Sequence, residues 1–128
     1  MYAAVLIPLA LLALARFALV IVRVDGTSMT PTYGDGDRVL AIRRWLAPGL
    51  KRGSVVVLRH PPDAPVAGPE GTKPPLLVKR LVGLPGDANV PDGHIYVLGD
   101  GPGSYDSAAF GPVPAKLVIG RVLVALAR

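Results

Sequence analysis

Glycine and proline divide the chain after residue 24 into short apolar segments, and this pattern restricts the fold more than any other feature. All 15 glycines lie beyond that point, and of the 14 prolines only Pro8 precedes it. Short apolar segments bounded by turn residues are typical of β-strands. We therefore predict an all-β domain with strands at 38–42, 54–59, 76–82, 94–98 and 117–126. The proline-rich segment 61–75 lacks periodicity and is predicted to be a surface loop.

An apolar run at the N-terminus is the second constraint. From Tyr2 to Val22 only Arg16 is charged, and the run is close to the roughly 20 residues that a helix needs to cross a bilayer. We predict a membrane anchor helix over residues 1–22 that runs into the first strand, followed by one domain over 23–128. The sequence does not decide where the helix ends, because the segment from Phe17 is rich in β-branched residues and would also suit a strand. A cleaved secretory signal is the weaker interpretation, since no basic residue precedes the run.

The distribution of charged residues indicates which classes of partner the chain could bind. The formal net charge is +5, but the basic residues are scattered singly or in pairs, with little aromatic interleaving. This distribution argues against nucleic acid as a partner, whereas anionic lipid headgroups suit basic residues beside an apolar run. The chain has no cysteine, and its two histidines, His60 and His94, are isolated. We therefore predict no metal site and no cofactor.

Ser28 and Lys79 are the candidate catalytic residues. Ser28 lies in G-T-S-M-T-P-T after the first strand candidate, although serine before proline also commonly stabilises turns. Lys79 interrupts L-L-V-K-R-L-V, and strand alternation places it on one face with Leu77 and Leu81. Burial on that face lowers the pKa of a lysine, as a general base for a serine hydroxyl requires. The alternative is an edge-strand lysine that extends to water.

A glycine-rich segment at residues 99–114 follows the strand H-I-Y-V-L. It carries Asp100, Ser104, Asp106 and Ser107. The segment lacks the lysine of a phosphate-binding P-loop, and its aspartates would repel an anion. A calcium ion needs more oxygen ligands than this single loop supplies. From the residues of this segment alone we therefore predict no bound ligand.

Four segments, in this order, resemble the motif boxes of the type I signal peptidases, a family of membrane serine proteases. They are S-M-T-P-T at 28–32, G-D-x-V at 36–39, K-R-x-x-G-x-P-G-D at 79–87, and G-D-G at 99–101 followed by Ser104, Asp106, Ser107 and Gly111. The resemblance extends over about residues 17–122. It implies that Ser28 is the acyl-forming nucleophile and that Lys79 is its general base. It also implies that the backbone N–H of Ser28 binds the oxyanion, that Ser104 orients the lysine and that Asp106 supports the site.

The chain departs from the family pattern at three supporting positions. Ala108 replaces an arginine, so Asp106 needs another partner, for which Arg80 and Arg121 are the candidates. The asparagine of the family's G-D-N is Gly101, and the loop from there to Ser104 is one residue shorter than in many members. Apart from these three, Gly26 stands where some members carry a second hydroxyl donor. These changes concern the support of the site more than the dyad itself.

The resemblance also implies the architecture. Larger family members insert a second β-domain between the box that ends at Asp87 and the turn at 91–93, and this chain has no room for one. The expected fold is a compact, barrel-like catalytic core of antiparallel strands, preceded by one N-terminal transmembrane helix.

The function that the resemblance implies is membrane-bound serine endopeptidase activity, which removes N-terminal signal or leader peptides after small residues. The precursor polypeptide would bind as an extended strand by β-augmentation. Two alternatives stay open. The F-G-P-V-P sequence at 110–114 is similar to small actinobacterial nickel-type superoxide dismutase maturation proteases, which suggests a dedicated propeptidase. Ala108 and the shortened loop before Ser104 would suit a catalytically silent family member that binds signal sequences or serves as a membrane scaffold.

The expected location is the cell membrane, as a single-pass monomer with the catalytic domain on the extracytoplasmic side. This orientation follows from the resemblance. Arg16 and Arg23 lie C-terminal to most of the apolar run, where the positive-inside rule would instead favour the cytoplasm.

Overall fold

The computed structural model describes residues 2–62, 64, 66 and 68–127, and most of its regular structure beyond the N-terminal helix is antiparallel β-sheet. The elements in chain order are α1 (Ala3–Ala18), β1 (Leu19–Arg23), β2 (Arg38–Arg43), β3 (Val55–Leu58), β4 (Leu77–Gly83), β5 (His94–Leu98), α2 (Ser107–Phe110), β6 (Val113–Pro114), a 3₁₀ turn (Ala115–Leu117) and β7 (Val118–Ala127). The predicted strands are therefore confirmed. Within the predicted loop 61–75 the described residues form only turns and irregular backbone, and residues 63, 65 and 67 lie outside the description.

The N-terminal helix is shorter than the predicted anchor over residues 1–22. It ends at Ala18, and β1 begins at Leu19. The β-branched residues of β1 pair with β2, from Leu19 opposite Ile42 to Arg23 opposite Arg38, and this pairing takes the segment away from the helix. In the part of the chain that the structure describes, no helix has both the length and the apolar character needed to span a membrane. The structure thus divides the predicted segment 1–22 into helix up to Ala18 and strand from Leu19, a boundary that the sequence left open.

One seven-stranded sheet forms the body of the protein, in the order β1-β2-β7-β3-β4-β5-β6. Every neighbouring pair is antiparallel. Strands β1 and β6 are the two edges, and within the described residues they do not pair, so the predicted barrel-like closure is wrong. The physical reason is β6, which has only two residues, one of them a proline without a backbone N–H.

The core consists of two apolar clusters, both formed mainly by side chains of the sheet. One contains Leu58, Leu81 and Ile95, and the other contains Val57 and Met29. All four residues of β3 are buried, because its alternating side chains contribute to both clusters. Met29 is fully buried, and burial of a side chain of this size contributes about 1.5–3 kcal/mol. The turn that follows β1 is therefore anchored to the sheet at the residue next to Ser28.

Candidate active site

Ser28 lies on the turn that connects β1 to the G-D-G segment before β2. Two backbone hydrogen bonds close this turn, from Thr30 N to Thr27 O at 3.2 Å and from Tyr33 N to Met29 O at 2.9 Å. Because Met29 points into the core, its neighbour Ser28 remains half-exposed. Within the described residues, neither the hydroxyl nor the backbone N–H of Ser28 donates to a protein acceptor. Both groups are thus available to a bound molecule.

Lys79 lies in the middle of β4, and its side chain is only 3% exposed. The predicted alternation is confirmed, since Leu77 and Leu81 on the same face both pack on one apolar cluster. The Lys79 amine is 2.9 Å from the hydroxyl of Ser104, to which it donates. Burial lowers the pKa of Lys79, and the Asp106 carboxylate opposes this shift. The site therefore favours a neutral amine more than water does.

Ser28 and Lys79 line the same cleft, which has a volume of about 210 Å³. Its remaining walls come from the end of β1, from the start of β4 and from the loop after β5, and they comprise Arg23, Val24, Asp25, Pro75, Leu76, Leu77, Val78 and Tyr105. The structure thus brings the two predicted catalytic residues together, with Ser104 hydrogen-bonded to the lysine. A half-exposed serine that shares a cleft with a buried amine is suited to nucleophilic catalysis.

Asp106 supports the loop after β5 through backbone contacts. Its carboxylate accepts hydrogen bonds from Gly99 N at 2.8 Å and from Ala108 N at 3.0 Å, and the second bond caps helix α2. The side chain of the next residue, Ser107, accepts from Val97 N at 2.9 Å and ties the loop to β5. The expectation that an arginine replaces the missing partner of Asp106 is wrong. Two amide donors satisfy the buried carboxylate instead.

Arg80 pairs with Asp100 and not with Asp106. Its Nε and Nη2 atoms donate to the two carboxylate oxygens of Asp100 at 2.8 and 2.7 Å. Thr32 donates to the same carboxylate at 2.6 Å. These bonds, led by that from Arg80, lower the pKa of Asp100. Asp100 therefore links the strand that carries Lys79 to the turn that carries Ser28, a role that sequence reasoning did not assign to Asp100 or Thr32.

Two glycines allow the loop after β5 to lie against the Ser28 turn. A Cβ atom at Gly99 would overlap Ser104 Oγ and the carbonyl oxygen of Ser28, and one at Gly101 would overlap the carbonyl oxygen of Thr27. The amide of Gly101 donates to the Ser28 carbonyl at 2.8 Å. The departure at Gly101 thus has a steric reason in this chain, because the contact leaves no space for a side chain.

Substitution Gly99→Ala is expected to destabilise the protein by about 1–3 kcal/mol and to lower any activity of the site. The added methyl group must displace both Ser104 and the Ser28 turn. Gly49→Ala is the matched control, because a Cβ atom there meets nothing within 4 Å and the backbone needs no positive φ. Chemical denaturation measures both variants. Equal stability of the two would contradict the close packing of this loop.

The cavities described below lie outside the Ser28 cleft and are lined by other residues. One of them, about 560 Å³, lies against Asp87 and Tyr96, where Arg52 already neutralises Asp87 at 2.6 Å. His60 and His94 contact backbone carbonyls near their own positions, and neither lines the Ser28 cleft. Among the described residues, no group of three His, Cys, Asp or Glu side chains is arranged to bind a metal ion.

A family model described as "Signal peptidase, peptidase S26" matches residues 1–88 and 87–127 of the chain. The chain belongs to this family. The resemblance predicted from the four motif boxes is thereby confirmed. Both Ser28 and Lys79 fall within the first matched range, and the Gly99 to Ser107 loop falls within the second.

Several curated S26 relatives are mitochondrial inner membrane protease subunits. Subunit 2 from Danio rerio is 35% identical over 135 residues, covering 91% of this chain and 68% of the relative. Subunit 1 from Homo sapiens is 32% identical over 119 residues, covering 80% and 66%. The ATP-independent subunit 1b from Arabidopsis thaliana is 38% identical over 119 residues, covering 77% and 64%. The chain thus spans about two thirds of the length of these family members.

Proposed function

We propose that this S26 family member is a membrane-associated serine endopeptidase that removes N-terminal signal or leader peptides. Ser28 is the nucleophile and Lys79 the general base. The observation that carries the proposal is the cleft in which a half-exposed serine lies with a buried lysine of lowered pKa. The relatives named as inner membrane proteases support both the reaction class and work at a membrane.

In the acylation step, neutral Lys79 takes the proton of the Ser28 hydroxyl as the oxygen bonds to the carbonyl carbon of the scissile peptide. The carbonyl electron pair moves to oxygen, and the free N–H of Ser28 binds the resulting oxyanion. The C–N bond then breaks, and the Lys79 ammonium returns its proton to the leaving amine. The products are an ester on Ser28 and a polypeptide with a new N-terminus.

In the deacylation step, Lys79 acts a second time as the base. It takes a proton from a water molecule as the water oxygen bonds to the ester carbon. The bond from that carbon to Ser28 Oγ then breaks, and the serine oxygen recovers the proton. Ser104 is a positioning residue in both steps, since its hydrogen bond at 2.9 Å fixes the direction of the amine.

The substrate is proposed to bind as an extended strand between two segments that flank Ser28. One is Arg23–Asp25, which continues the edge strand β1, and the other is Pro75–Val78 at the start of β4. Backbone groups on such segments pair with an extended peptide. The cleft is walled by Val24, Leu77 and Tyr105. The family resemblance implies that the residue before the scissile bond is small, like alanine.

Location and assembly are part of the proposal. We place the catalytic domain at a cell membrane on the extracytoplasmic side. The relatives are named as subunits, so association with a second subunit is favoured over the monomer expected from the sequence. A dedicated propeptidase would use the same reaction on a single precursor. The number of precursors that the protein cleaves distinguishes it from a general leader peptidase.

Cleavage of model precursors by the purified full chain tests the proposal. Precursors that differ only at the residue before the scissile bond are compared, and mass spectrometry locates the cut. We expect cleavage after alanine or glycine, and a decrease of at least about tenfold with leucine, because a clash or a misplaced carbonyl in a tight site has effects of this order. Cleavage of no precursor would favour the catalytically silent scaffold.

A further inference from the structure

A groove lies beside α2, the short helix that follows the loop carrying Ser104. Its volume is about 250 Å³. The floor is apolar and includes the buried side chains of Val113 and Leu117. The walls and the rim comprise Pro61, Pro62, Phe110, Pro112, Pro114 and Lys116. Because proline has neither a backbone N–H nor a polar side chain, these walls favour an apolar group. The proposed reaction uses none of these residues.

Two aromatic rings connect this groove to the Ser28 cleft. Tyr105 lines the cleft, and Phe110 lines the groove. Their ring centroids are 5.1 Å apart, and the rings meet edge to face at 80°. Tyr105 is 41% exposed, so its ring is accessible to a chain that leaves the cleft. The loop between the rings is fixed, because the Asp106 carboxylate accepts two backbone N–H groups. The cleft and the groove therefore belong to one continuous surface.

The position of Lys79 indicates which part of a precursor would reach the groove. In the proposed acylation step the leaving amine takes its proton from Lys79, so the residues after the scissile bond lie on the lysine side of the site. The Lys79 amine contacts Ser104, the residue before Tyr105. An extended chain advances about 3.3 Å per residue, so it crosses the 5.1 Å between the two rings in about two residues. Residues from about the third after the scissile bond are therefore within reach of the groove.

The rim of the groove carries a positive charge. Lys116 is exposed there, and none of the acidic residues that the structure describes lines the groove. Both neighbours of Lys116 contact segments that are themselves basic: the Arg44 guanidinium donates to the carbonyl of Ala115, and the amide of Arg59 donates to that of Leu117. An acidic residue beside the apolar group of a bound chain would complement this rim.

We propose that the groove is an exosite, a second binding site for the precursor outside the cleft. It binds the chain after the scissile bond, at an apolar side chain followed by an acidic residue. The apolar side chain packs against Phe110, and the acidic residue meets Lys116. The inference rests on the proposed peptidase function and adds a source of selectivity to it. Small residues occur in many polypeptides, so a contact beyond the cleft is what would restrict cleavage to few precursors.

Cleavage of matched precursors by the purified full chain tests the exosite. All of them share one leader that ends in alanine. One series carries phenylalanine followed by aspartate, with the phenylalanine placed in turn at the third to the sixth position after the scissile bond. A second precursor has serine at these positions, and a third ends two residues after the bond. In the best register we expect a KM about tenfold below that of the other two, the effect of burying one aromatic side chain. The kcat should be similar, because the groove does not touch the reacting atoms. Equal KM values for all precursors would overturn the inference.

A charge exchange at Lys116 tests the acidic contact. Lys116→Glu is expected to raise KM for the aspartate precursor about two- to fivefold, and to lower KM for a precursor with lysine in place of aspartate. The shortest precursor should be cleaved as by the wild type. Lys51→Glu is the matched control and should change neither KM, because Lys51 is also exposed but lines neither the groove nor the cleft. Equal effects of the two variants would indicate a general charge effect and exclude the contact with Lys116.

Binding is also measured without cleavage. A fluorescent peptide that contains only the residues after the scissile bond is titrated with the full chain, and anisotropy gives its Kd. We expect the peptide with phenylalanine and aspartate to bind about tenfold more tightly than the serine peptide. Such a difference in a protein that cleaves no precursor would count against the proposed reaction alone. Cleavage of every precursor with the same KM, together with equal binding of the two peptides, would count against the exosite alone.

Discussion

Substitution Ser28→Ala is expected to lower kcat for precursor cleavage by a factor on the order of 10⁴ to 10⁶, the loss typical when a serine protease loses its nucleophile. The reason is that no ester intermediate can form. The fold should be unaffected, because the Ser28 contact that secures the turn is made by its carbonyl, which accepts from Gly101 N at 2.8 Å and is retained in alanine. Cleavage under single-turnover conditions measures the loss, and denaturation midpoints verify the fold.

Thr27→Ala is the matched control for this variant. It removes a hydroxyl from the adjacent residue of the same turn, and the Thr27 carbonyl that closes the turn is retained. We expect activity close to that of the wild type. If Thr27→Ala were as inactive as Ser28→Ala, loss of the turn geometry would explain both, and the nucleophile would have to be sought elsewhere. Full activity of Ser28→Ala would exclude the proposed mechanism.

The strands were predictable because the chain separates them with strong turn residues. His94–Leu98 follows a P-D-G turn, and its bounds match the prediction. Lys79 was predictable for another reason: alternation along β4 requires one charged residue to share a face with two leucines. Such a lysine either reaches water at a sheet edge or becomes buried. Lys79 is buried because β4 lies between β3 and β5. The order of the strands depends on the whole sheet and cannot be read from the β4 segment.

Predictions were left open or were wrong where a local pattern competes with contacts that are distant in the sequence. The apolar run up to Val22 does not indicate where helix gives way to strand, because only the pairing of Leu19 with Ile42 sets that boundary. Closure of the sheet depends on β6, and a two-residue strand has no clear sequence pattern. The partner of Asp106 was sought among arginines, but backbone amides of Gly99 and Ala108 satisfy it, and amides are present at every position.

The support of the candidate dyad is distributed over three segments that meet in space. Asp100 bonds to Arg80 beside the lysine and to Thr32 beside the serine. Gly99 and Gly101 permit this approach, and Ser104 then reaches the lysine amine. The arginine that the family places after D-S is therefore dispensable for closing the loop in this chain. That observation weakens the main motive for the silent-scaffold alternative.

Substitution Lys79→Met is expected to lower kcat by a factor of about 10² to 10⁴, the usual contribution of general acid–base catalysis. In the wild type the rate should rise with pH as Lys79 loses its proton, and burial places this rise below the ordinary lysine pKa of 10.5. The residual activity of Lys79→Met should not show this rise of the rate with pH. Ser104→Ala keeps Lys79 as the base but removes the hydrogen bond to its amine. The cleavage rate of this variant should fall, but it should still rise with pH as Lys79 loses its proton.

Stability separates this catalytic role from a structural one. Because the folded-state pKa of Lys79 lies below its unfolded value, the unfolded chain binds a proton that the folded chain lacks between those two pKa values. The free energy of unfolding should therefore rise with pH across that window, and the burial penalty should persist in full below it. Lys79→Met, of similar length and without charge, removes this slope and should be at least as stable as the wild type at neutral pH. A variant that is inactive because it is unfolded, or one that keeps the full pH–rate profile, would contradict the assignment of Lys79 as the general base.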